Sequence, residues 1–148
     1  MSADSAWLLI CAALVIFMTP GVAFFYGGLV KSKSVVSMMM LSFGALGLIS
    51  VLWVLYGFNM GSITADTSGN GILPADPFSD FGLSKLAEAT EGFTMANVLF
   101  DGSFAIITAA LISGAIADRA RFWPWMLFAG IWGTLDYFVV KGLSLIHI

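Results

Sequence analysis

Four stretches of this chain are too apolar and too poorly charged to sit in water, and they decide what it can fold into. Residues 6–30 carry no charge and break their apolar run only at Thr19 and Pro20. Residues 34–60 form a second uncharged run rich in Leu, Val, Met and Trp. A third covers residues 94–117 with Asp101 as its only charge, and a fourth covers 122–140 with Asp136 inside it. At 1.5 Å per residue each reaches across a hydrocarbon core of about 30 Å. Only helices and closed barrels satisfy their backbone in lipid, and the ten-residue alternation of a barrel strand is absent. The expectation is an all-α, polytopic membrane helix bundle.

Composition agrees. The 148 residues are 59% hydrophobic and 10% charged, with a mean hydropathy of +0.97. Soluble domains run at about 45–50% apolar and about 25% charged. Cys11 is the single cysteine and lies in an apolar run, which excludes an internal disulfide and a thiolate zinc cluster. There is no Gly-rich phosphate loop, no His/Cys/Asp metal set and no Ser–His–Asp candidate. His147, the one histidine, sits at the extreme end of the chain. Neither an enzyme nor a cofactor is expected, and nucleic acid is not an expected partner.

Placement of charge carries more than the net value of −3. The start "MSADSAW" holds Asp4 and no basic residue, so the first run reads as a membrane helix and not as a cleaved signal. Lys31 and Lys33 separate the first two runs, and Arg119 and Arg121 the last two, which places both short loops in the cytoplasm. The connection 61–93 holds Asp66, Asp76, Asp80, Glu88 and Glu91 against Lys85 alone, and reads as an external loop. The N-terminus is then extracellular or periplasmic. Lys141 is the one basic residue on the wrong side.

Within the helices, Thr19-Pro20-Gly21 marks a kink in the first. Gly21 and Gly28 share a face where a neighbour could approach, and Phe24, Phe25 and Tyr26 spread over more than half the circumference. In the third helix, Phe100 and Phe104 are an i, i+4 pair whose face continues through Thr108. A second face, Ala105, Ala109, Ser113 and Ala117, is a ridge of small residues suited to close packing. Two phenylalanines alone are compatible with plain lipid or core packing. Asp101 has two readings: a carboxylate about 10 Å inside the helix, facing a cation-favouring vestibule, or the N-cap of a shorter helix.

The stretches "FMTPGVAFFYGGLVKSKSVVSMM" (Phe17 to Met39) and "FDGSFAIITAALISGAIADRARF" (Phe100 to Phe122) resemble the ammonium transporter (Amt/Rh) family. The resemblance implies the first four helices of an eleven-helix inverted-repeat transporter fold, assembled as a homotrimer in the cell membrane, plasma or inner. It also implies transport of ammonium or ammonia, with methylammonium as an analogue, through a pore in each subunit. By that resemblance Phe104 is the inner of two stacked constriction phenylalanines, and Phe100 lies one turn away near the outer recruitment site. Phe25 and Tyr26 match pore-side positions of the first helix, and Tyr137 an aromatic position late in the fourth. Asp101 is left with a vestibule or capping role. A PII-type regulatory protein is an implied partner, besides lipid.

The departures matter as much. The family's later tryptophan, helix-five aspartate, second phenylalanine and pore histidines have no counterpart here, and Leu145 falls about where the tryptophan is expected. The matching part is read as 1–140, with helices at about 6–30, 34–60, 94–117 and 122–140. Residues 141–148, "KGLSLIHI", read as a non-matching tail in which Lys141-Gly142 interrupts the last helix. The chain is expected to be a fragment that transports nothing alone. An ammonium sensor with the same membrane fold and a non-transporting scaffold are the alternatives.

Overall fold

The computed structural model describes residues 3–61, 78, 80–84, 86 and 92–146, which form helices and the turns between them. Asp66, Asp76, Lys85, Glu88 and Glu91 of the expected loop, and His147, lie outside the described residues. The helices are α1 (Ala3–Leu29), α2 (Val35–Leu52), α3 (Phe58–Gly61), α4 (Gly92–Ile112), α5 (Phe122–Trp132) and α6 (Phe138–Ile146). A π-turn, Trp53–Gly57, joins α2 to α3, and another, Gly133–Tyr137, joins α5 to α6. Among the described residues four spans are long and apolar enough to cross a membrane: Ala3–Leu29, Val35–Gly61, Met95–Ile116 and Phe122–Leu143. The fourth does not stop at Val140, because α6 continues through Lys141 and Gly142. The expected interruption fails for a physical reason: Lys141 finds partners for its charge, and Gly142 is buried in the helix.

The third span is the hub, with 44% of its apolar window buried against 17%, 28% and 22% for the others. Lipid is as apolar as leucine, so helices associate there through close packing and hydrogen bonds. The sequence supplies both. The buried stripe of α1 is Ser5, Ala12, Thr19, Ala23 and Gly27, all small, and α1 packs mainly on α4. On the third span Ala105 and Ala109 of α4 and Ser113 just beyond it are buried, as the spacing of the ridge predicts, while Ala117, past the end of the span, is half-buried. Gly21 and Gly28 are not the close-approach positions expected, since a Cβ at either meets open space; Gly27, packed on Met39, takes that role.

Hydrogen bonds tie the spans across the bundle. Ser42 and Ser113 hydroxyls meet at 3.3 Å, and Trp125 Nε1 donates to Leu41 O at 2.9 Å. Tyr26 Oη donates to Leu111 O at 3.0 Å. These contacts gather the end of α1, the start of α2, the end of α4 and the start of α5 at one end of the bundle. Exposed Lys31, Lys33, Arg119 and Arg121 therefore share that end. The turn into α5 closes with Asp118 at φ 61°, a left-handed conformation that Asp tolerates better than most residues. At the opposite end Asp80 organises the short turn Phe81–Leu83, its carboxylate accepting from Ser84 Oγ and the Leu86 amide. Leu83 is thereby pressed into the core.

α1 passes through Pro20 without a break. Beside it Thr19 is fully buried, and its Oγ1 has no hydrogen-bond partner. An unsatisfied buried hydroxyl costs about 1–3 kcal/mol. Thr19→Val keeps the shape and removes the hydroxyl. It is expected to raise the midpoint of thermal unfolding in detergent, whereas a lower midpoint would show that the hydroxyl is satisfied.

Candidate functional site

The face of α4 that begins at Phe100 is where the sequence-predicted aromatics collect. Phe100 and Phe104 rings lie 5.0 Å apart at 84°, edge to face. That geometry sets a positive ring edge on a negative ring face. Phe100 is half-buried, while Phe104 is 42% exposed and looks out of the described bundle. Thr108 Oγ1 folds back on Phe104 O at 2.6 Å, which keeps this part of the face free of unpaired polar groups.

The fourth span brings Tyr137 to this face. Tyr137 closes the π-turn Gly133–Tyr137, and its side chain lies beside Thr108 and within electrostatic reach of Asp101. A π-turn inserts one extra residue per turn and so re-aims the side chains after it. Here it also delivers Phe138, fully buried, against Gly57 of the facing π-turn. A Cβ on Gly57 would stand 2.7 Å from Phe138 Cζ, so only glycine lets the two turns meet. Tyr56 Oη and Thr134 Oγ1 bond at 2.7 Å across the same junction, and Thr134 Oγ1 donates to Gly130 O at 2.8 Å.

Asp101 is not a helix cap. α4 begins at Gly92, which puts the carboxylate about 14 Å along the helix axis. Its partner is Lys141, with Nζ 3.0 Å from Oδ2. The predicted residues therefore divide into two groups. Phe100, Phe104, Asp101 and Tyr137 come together near the Gly61 end. Tyr26 lies on Gly114, near the other end of the third span, and Phe25 beside it is 63% exposed.

Sequence reasoning missed Trp53. Its ring is 3% exposed and packs edge-on with Phe58 and Phe138 at centroid distances of 6.1 Å and 5.4 Å. Its Nε1 donates to Val98 O at 3.0 Å, and its Cδ1–Nε1 edge lies against Gly102. The available signal was Gly102, which makes room for the indole. Among the described residues no group of three or more His, Cys, Asp or Glu could hold a metal.

Comparison with known proteins follows the same lines. The model of the Ammonium Transporter Family matches residues 6–146. An ammonium transporter of Mycobacterium tuberculosis is 45% identical over 93% of this chain and 32% of its own length. Those of Bacillus subtilis and Aquifex aeolicus are 38% and 37% identical over 90% of this chain, and 33% and 32% of theirs. The chain thus spans about a third of the length of the curated relatives it matches. A match that takes in all four spans, in order and almost end to end, means that the chain belongs to the Ammonium Transporter Family.

Proposed function

We propose that this chain forms the first part of an ammonium pathway, with Phe100, Phe104 and Tyr137 as aromatic lining and Asp101 at its mouth. Phe25 and Tyr26 border the path further in. The observation that carries the reading is the half-exposed Phe104 ring, presented on the most buried span beside Tyr137 and Thr108. In this reading the basic end with Lys31 and Arg119 faces the cytoplasm and the Gly61 end faces outward. The complete protein assembles as a homotrimer, and the cytoplasmic end is where a PII-type regulator docks. Four spans leave the Phe104 face open, so the chain alone transports nothing.

Energetics decides which species crosses. Bringing a bare ammonium-sized ion into low dielectric costs on the order of 20 kcal/mol by the idealised Born estimate. Each cation–π contact returns about 0.5–2 kcal/mol, which two or three rings cannot raise to that level. Deprotonating an amine of pKa near 10 costs roughly 4 kcal/mol at pH 7. The aromatic mouth therefore recruits the cation, and the narrow apolar stretch passes the neutral molecule. In a full-length protein carrying this segment, Phe104→Ala is expected to change methylammonium uptake by about 2- to 30-fold, the range of one cation–π contact. Unchanged uptake would reject Phe104 as part of the pathway.

A further inference from the structure

The Lys141 ammonium is held on three sides by groups that belong to other helices. Nζ donates to Asp101 Oδ2 at 3.0 Å and to Gly61 O at 3.2 Å, and it stands 5.2 Å from the centroid of the Trp53 ring. A carboxylate, a carbonyl oxygen and an indole face together suit a primary ammonium group. Its N–H donors take the oxygens and its charge takes the ring. The lysine stem lies along Gly61, where a Cβ would be 3.3 Å from Cδ. The lysine side chain is 18% exposed and the aspartate 38%, so the pair is shielded but open on one side.

The cage does not owe its shape to the lysine. Trp53 is fixed by its bond to Val98 O and by the edges of Phe58 and Phe138. Gly61 ends α3, and Asp101 is carried by the central helix α4. The cage borders the Phe100–Phe104 face but shares only Asp101 with it. The tip of a lysine is chemically an alkylammonium ion. We propose that Asp101, the Gly61 carbonyl and the Trp53 ring form a binding site for small primary ammonium ions, which this chain fills with its own Lys141 as a tethered ligand. Shortening the tether opens the site to free ions. This does not rest on transport, because binding needs no complete pore.

The test uses the 148-residue chain in detergent. Lys141→Ala is expected to melt below the wild type. Methylammonium chloride at tens of millimolar, the effective concentration scale of a short tether, is expected to restore it. At a tenfold excess over Kd the gain is about 3–6 °C. Tetramethylammonium, which has no N–H, and sodium at equal ionic strength are expected to give no such gain. Nor should methylammonium act selectively on the wild type or on Lys141→Ala combined with Asp101→Asn. A Lys141→Ala chain that responds equally to all three salts would overturn the proposal. Should that variant not fold, acylation of the wild-type amines decides. Lys141 is expected to react several-fold more slowly than Lys31 and Lys33, and Asp101→Asn to abolish that protection. Equal reactivity, or protection that survives Asp101→Asn, would overturn it as well.

Discussion

Trp53→Ala is expected to destabilise the bundle by about 3–5 kcal/mol, among the largest losses any single change here produces. Three contributions add at this side chain. The indole is 3% exposed, so its removal leaves a void on which Phe58, Phe138 and Gly102 close only in part. The bond from Nε1 to Val98 O is lost, about 1 kcal/mol, and the carbonyl keeps only its helical donor. The Lys141 ammonium loses its ring as well. Trp53→Phe separates the terms, since it keeps an aromatic ring while removing the donor and part of the volume. Thermal or denaturant unfolding in mild detergent should rank wild type above Trp53→Phe and Trp53→Ala lowest. A loss below about 1 kcal/mol for alanine, the scale of one hydrogen bond, would remove Trp53 from its central place.

Gly102→Ala is the second large effect, and its sign depends on Trp53. An added Cβ would stand 2.6 Å from Trp53 Cδ1 and 2.7 Å from Nε1. The indole cannot swing aside, because its N–H is bonded and its faces are packed. Overpacking of this kind costs about 1–3 kcal/mol. Gly47→Ala is the control: nothing lies within 4 Å of its Cβ, and alanine favours the helix by up to about 1 kcal/mol. In a Trp53→Ala background the added methyl at residue 102 occupies vacated space, so the second change is expected to be neutral or stabilising. Additive losses in the double variant would mean that the methyl strains the α4 backbone and not the indole.

Hydropathy made the four spans legible because burial in lipid leaves no choice of element. It placed the last span's end at Val140 instead of Leu143, since a lysine counts as a boundary until its partner is known. That partner, Asp101, lies 40 residues earlier and on another helix. No periodicity within one segment can report such a pair. The same limit hid the two π-turns. Gly57 and Gly133 look like ordinary helix glycines, and only the arrival of Phe138 at Gly57 and of Ile49 at Gly133 gives them a function. The Phe100–Phe104 pair was readable, being an i, i+4 neighbourhood on one helix. Its ring geometry was not, because backbone spacing fixes proximity and leaves the interplanar angle to the neighbours.

The separation between Asp101 and Lys141 has a consequence for how the protein is made. Translation at about 5–20 residues per second brings the lysine out about 2–8 s after the aspartate. Until then the third span carries an uncompensated carboxylate, at a cost of up to about 2.5–3.5 kcal/mol if it lay at mid-membrane. The ion pair between the last two spans can therefore form only after the fourth has been synthesised, and until then the Asp101 carboxylate depends on water or other polar groups at its end of the helix.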